Sequence, residues 1–130
     1  MNYIYNDGGR KNAGYKGTAG DCGVRAMAIA LGISYKDAYI ELAQANKDFG
    51  FAKSARNGIL KLVFNTVLNR HGWYWKSAPK FISRKARCSD MPDGYVIARQ
   101  AHHYVAVLDG FPLDIWDSSE KMVYGYWQKK

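Results

Sequence analysis

A chain of 130 residues that is 48% apolar and 23% charged fits one globular domain able to bury a core without disulfides, and no apolar run reaches the roughly 20 residues of a membrane span. Nineteen Lys and Arg against eleven Asp and Glu leave a formal charge of +8, which favours acidic partners, yet no helix-turn-helix, zinc-finger or aromatic RNA-binding signature accompanies it. Two cysteines and three histidines offer neither a disulfide framework nor a closed zinc set, so Cys22 and Cys88 are expected as free thiols, with no metal and no cofactor.

Residues 1–16 are rich in Asn, Gly, Tyr and Lys and lack the apolar centre of a secretory signal, so a cytoplasmic location is expected. They read as irregular, with a short strand at residues 3–5. From Asp21 the run Cys-Gly-Val-Arg-Ala-Met-Ala-Ile-Ala-Leu is apolar on nearly every side except Arg25, which predicts a helix buried around much of its girth, capped by Asp21 and stopped by Gly32. Ser34 with Asp37 three residues on is a capping-box variant that opens a second, amphipathic helix reaching about residue 45. Residues 46–58 are polar and contain glycine, a loop of the kind that overhangs a site. The apolar pairs Ile59/Leu60, Val63/Phe64 and Val67/Leu68 predict a third helix over 58–70, with His71 at its cation-favouring end and Gly72 as its stop.

The period then changes to that of strands, at residues 73–76, 94–99, 103–108, 112–117 and 122–127. Asp109-Gly110 between two apolar runs signals a tight hairpin. Trp73, Tyr74 and Trp75 read as core and groove-wall aromatics rather than base-stacking ones. The basic stretch 76–87 reads as a solvated loop. Helices first and strands after predict a single α+β domain over 1–130, the helices packed on an antiparallel sheet.

Two features carry chemistry. Cys22 opens a helix, where unpaired backbone N–H groups favour the thiolate; its own N–H points to where an oxyanion would form, and Gly23 leaves space for a substrate backbone. The second is the hairpin that starts at His102-His103 and returns through Asp114 and Asp117, because a histidine with a carboxylate on the neighbouring strand is a base with its orienter. If Asp109 and Gly110 are the two turn residues, Val105 lies opposite Asp114 and His103 opposite Trp116, so His103 and Asp114 share a face. A three-residue turn would bring Asp117 to His103 instead, and His102 with Asp117 forms a pair on the other face.

Asp21-Cys22-Gly23 opening a helix of small and apolar residues, the distant His103-Tyr104-Val105-Ala106-Val107 strand and a carboxylate on the next strand resemble the papain-like cysteine peptidase superfamily. The likeness is nearest to the bacteriocin-processing peptidase domains, and covers residues 22–31 and 103–117. Together with the final Tyr-Gly-Tyr-Trp, the same segments are also similar to small proteins carried by phages and bacteria. The resemblance implies a papain-like fold and a thiol enzyme acting on a peptide or protein amide, with Cys22 as nucleophile, His103 as base and Asp114 or Asp117 as orienter. Those peptidases place a glutamine six residues before the cysteine as an oxyanion donor; here the position is Lys16, so Lys16 and Thr18 become the candidate donors. Hydrolysis, transglutamination and deamidation all fit such a site. The alternative is a non-catalytic basic module on the same fold that holds an acidic protein or nucleic acid.

Overall fold

The computed structural model describes residues 2–15 and 20–130. Three helices come first, α1 (Cys22–Leu31), α2 (Tyr35–Asp48) and α3 (Lys61–Arg70), after a two-residue strand β1 (Ile4–Tyr5). The remaining strands are β2 (Trp73–Ser77), β3 (Tyr95–Gln100), β4 (His103–Leu108), β5 (Phe111–Asp114) and β6 (Gly125–Lys129), with a short 3-10 turn at Cys88–Asp90. They form one six-stranded sheet in the order β1-β5-β4-β3-β6-β2. β1 runs parallel to β5 and all other pairs are antiparallel, so the α+β expectation holds with a mixed, mostly antiparallel sheet.

The helices cover one sheet face. Val24 and Met27 of α1, Leu42 of α2 and Val63, Phe64, Val67 and Leu68 of α3 meet Ile97, Tyr104, Ala106 and Trp127 in one core. Residues of opposite parity, Val96, Ala98, Val105 and Val107, point to the other face and pack under Cys88, Met91 and Val123. Because neither face of these central strands meets water, β4 reads as a continuous apolar run rather than an alternating one.

Local signals explain most boundaries. Ser34 Oγ accepts the Asp37 N–H at 3.0 Å and starts α2. Gly32 is left-handed (φ 68°) and ends α1. Asp109 and Gly110 both have positive φ (50° and 87°), the two-residue turn that matches strand twist. The resulting register pairs Leu108 with Phe111, Val107 with Pro112 and Ala106 with Leu113, as two turn residues require. At Gly125 an added Cβ would lie 2.2 Å from Trp75 Cζ2, so only glycine lets β6 close against β2.

Four element boundaries differ from expectation by about three residues; α2 runs on to Asp48 rather than stopping near 45. α3 starts at Lys61 rather than at 58, because Gly58 has a positive φ (92°), Leu60 is extended as the N-cap, and the Tyr104 hydroxyl donates to the Ile59 carbonyl at 2.6 Å. β5 stops at Asp114, where both carboxylate oxygens are engaged by side chains from elsewhere. β6 begins at Gly125 rather than 122 because Val123 N and Tyr124 N bond outside the strand, to Ala86 O and Arg99 O. Among the described residues no helix is long and apolar enough to cross a membrane.

Candidate active site

The first turn of α1 meets the sheet where β4 begins and β5 ends, and this junction gathers Cys22, His103 and Asp114. His103 Nε2 lies 2.6 Å from Asp114 Oδ2, both residues being buried. With Nε2 on the carboxylate, Nδ1 is the ring nitrogen left for another partner. Trp116 packs against the ring, 4.9 Å between centroids, as the hairpin register predicts.

The Cys22 thiol is partly buried, and burial by itself opposes its ionisation. Interaction with the His103 ring, the Tyr104 backbone N–H and the positive charges of His103 and Arg25 outweigh burial and hold the thiol below its ordinary value of 9.0. Burial likewise opposes protonation of His103, but Asp114 and Cys22 together raise it above 6.5. The two shifts favour the same state, a thiolate beside an imidazolium. Cys88 is the contrast: burial, reinforced by the charges of Asp114 and Asp117, pushes its thiol up to about 12.

Behind Asp114 stands a chain of buried charges that begins in the same motif as the cysteine. Arg25 Nη1 donates to Asp114 Oδ1 at 2.5 Å and Arg25 Nε to Asp21 Oδ1 at 3.1 Å. Asp21 Oδ2 accepts from the Tyr35 hydroxyl at 2.6 Å and faces Arg10 Nε at 3.1 Å. Asp21 thus occupies the N-cap position of α1 without its side chain capping the helix; the carboxylate serves Arg25, Tyr35 and Arg10 instead. Sequence reasoning missed Arg25, although one signal was there. A single arginine on a helix buried all round must find carboxylates, and Asp21 stands one turn before it.

The other expected site residues part company with this cluster. Asp117 is not beside His103: β5 has already ended, and its exposed carboxylate accepts the Ser119 N–H at 2.9 Å. Gly23 does not make room for a substrate. It is buried, and an added Cβ would meet Phe64 Cε1 at 3.4 Å and Tyr104 Cδ2 at 3.5 Å, so its small size serves helix-on-sheet packing. Lys16 and Thr18 lie outside the described residues. His102 sits in the turn between β3 and β4 with φ 53° and is exposed. His71 ends α3 as expected and its Nε2 lies 2.8 Å from Glu41 Oε1, far along the chain from the cysteine.

A cavity of about 600 Å³ opens on Cys22. Its walls are the loop after α2, through Phe51, Ala52 and Asn57, the residues Ile59 and Leu60 that lead into α3, and the sheet residues Arg99 and Tyr104. The loop is fastened by the Gly58 N–H to the Gly20 carbonyl at 2.8 Å and by the Tyr104 hydroxyl to Ile59 O. This is a volume suited to a small ligand or a few residues of a peptide. Among the described residues no cluster of His, Cys, Asp and Glu is arranged to hold a metal ion. No protein-family model, curated protein or solved structure matches the chain significantly.

Proposed function

We propose that the chain is a cysteine-dependent acyl-transfer enzyme of papain-like type, a peptidase or amidase acting on a peptide or protein substrate. The observation that carries this reading is the buried His103–Asp114 bond beside a thiol whose ionisation is favoured in spite of burial. In the reaction the Cys22 thiolate adds to an amide carbonyl. The His103 imidazolium gives its proton to the leaving nitrogen as the C–N bond breaks, and a thioester remains. Water then adds to the thioester, His103 takes one of its protons, the C–S bond breaks to re-form the thiolate, and the carboxylic acid product departs and ionises in solvent. An amine in place of water makes the same steps a transamidation.

Asp114 keeps the imidazole in the tautomer and orientation that leave Nδ1 for the thiol, and it stabilises the imidazolium. The oxyanion is met by the N–H of Cys22 at the start of α1. One such donor is worth on the order of a hundredfold in rate.

Alkylation separates this reading from a binding module. With iodoacetamide near neutral pH, Cys22 should be modified at least about a hundredfold faster than Cys88, since the thiolate is the reacting species. Equal rates, or modification of Cys88 first, would overturn the enzyme reading. A Cys22→Ala protein that still holds an acidic ligand, with an affinity that drops steeply in salt, would point to the basic binding module.

A further inference from the structure

The cavity beside Cys22 has an uneven chemistry. Phe51, Ala52, Ile59 and Leu60 give it an apolar side. Lys61 and Arg99 give it a cationic one, and among the described residues no Asp or Glu lines it. Neither Lys61 nor Arg99 forms an ion pair with a carboxylate among the described residues. Each cation rests instead on an aromatic face, Arg99 Cζ 4.7 Å from the Tyr104 ring centroid and Lys61 Nζ 3.7 Å from that of Trp75. Those rings are themselves fixed: Tyr104 stacks on Phe64 at 4.2 Å, and Trp75 packs edge-on against Trp127 at 4.8 Å. The cationic heads are thus held on a rigid wall without being neutralised, which is the arrangement that receives an anion.

We propose that this cavity selects peptide substrates bearing an acidic side chain next to the scissile amide, the carboxylate being held by Arg99 and Lys61 while the apolar side takes the neighbouring residue. The proposal rests on Cys22 being the acyl acceptor. Arg99 is adjacent to the reacting centre through its own strand partner, because it pairs across the ladder with Tyr104, whose backbone N–H acts on the Cys22 sulfur. Arg99 and Lys61 line the same cavity as Cys22, so a side chain next to the scissile amide extends toward the cationic wall. The net charge of +8 adds long-range steering of acidic segments toward the mouth. A neutral glutamine or asparagine in the same place leaves both cations desolvated and unpaired, so discrimination comes from that penalty as much as from attraction.

The experiment uses three dipeptidyl acyloxymethyl ketones, which alkylate a reactive cysteine: one with Glu at the residue bearing the ketone, one with Glu at the residue before it, and one with Gln at both. The rate of Cys22 labelling is read by intact mass. One of the Glu compounds should label at least about tenfold faster than the Gln compound, and the advantage should shrink with added salt. In Lys61→Gln and in Arg99→Gln the preference should fall by about threefold or more; Lys61 is exposed, so that variant serves even where Arg99→Gln fails to fold. The proposal is overturned when the Gln compound is as fast as both Glu compounds, or when the preference survives both substitutions. It is also overturned if iodoacetamide marks Cys22 as the fast thiol while none of the three peptides labels it. The nucleophile reading fails separately, on the wild-type chain, if iodoacetamide modifies Cys22 no faster than Cys88.

Discussion

Six ionisable side chains alternate in sign along one chain of contacts, Arg10, Asp21, Arg25, Asp114, His103 and Cys22, when the last two are an imidazolium and a thiolate. Each buried charge is therefore flanked by its opposite, which is the condition under which charges survive in a low-dielectric interior. The pH behaviour follows from the two shifts. The thiolate is lost as pH falls through the lowered value of Cys22, which lies below 9.0. The imidazolium is lost as pH rises through the raised value of His103, which lies above 6.5. Cys22 alkylation should therefore persist below the usual thiol range, and acyl transfer should fall along an acid limb as Cys22 is protonated and along an alkaline limb as His103 loses its proton. Stability has the same signs: the His103 contribution is complete below its unfolded value and fades as pH rises through the folded one, while that of Cys22 is complete above its unfolded value and fades as pH falls through the folded one. Asp114→Asn removes the charge that raises His103. It should move the acid limb upward and slow alkylation at pH 6 by about tenfold or more, because each unit of thiol pKa regained is a tenfold loss of thiolate. A profile identical to that of the wild type would refute the role given to Asp114.

At the scale of elements, the sequence offered two registers for the hairpin, and the two-residue turn is the one that forms. Asp109-Gly110 needed positive φ, the pairing followed by counting from the turn, and it brought His103 to Asp114 and against Trp116. The helix caps were equally legible, since Ser34 and Gly32 act through their nearest neighbours. What could not be read was whatever depends on a distant partner. Asp21 had the profile of a capping residue until Arg25, Tyr35 and Arg10 were packed around it. Gly23 looked like a gap for substrate because the Phe64–Tyr104 stack that fills the space comes from elements 40 and 80 positions away. The parallel partner β1 gave no signal beyond two or three residues. Gly125 is the element-scale test of packing. Gly125→Ala puts a methyl 2.2 Å from Trp75 Cζ2 and 2.8 Å from the Lys76 carbonyl, and one of these is backbone. Overpacking of this kind costs about 1–3 kcal/mol, so the denaturant midpoint should drop with little change in the slope. A midpoint equal to that of the wild type would show that the two strands separate easily.

For the molecule as a whole, Arg25 is the bolt between the helical layer and the sheet. It runs from α1 to the last residue of β5, and the N-terminal segment closes over it, with Gly8 so near that an added Cβ would stand 3.1 Å from the Arg25 backbone. Arg25→Met retains much of the volume but leaves the buried carboxylates of Asp21 and Asp114 facing inward without their shared cation. A loss of about 3–5 kcal/mol is expected, measured by thermal or urea unfolding. Replacing Asp21 by Asn in the same background should recover part of that loss, since one of the two stranded charges goes with it. Additive losses in the double variant would mean that the two residues do not interact.

The position of β6 governs how such a chain can be assembled. It is the last of the described strands in chain order, yet it lies inside the sheet, and among the described residues β2 has no other neighbour. From residue 77 until residue 125 emerges, Trp73, Tyr74 and Trp75 form a strand with both edges open, a template for pairing with the wrong chain. Closure must wait for a contact between segments far apart in sequence, which makes it slow by the usual dependence on loop length. The aromatic strand is therefore the segment most open to mispairing until β6 is in place.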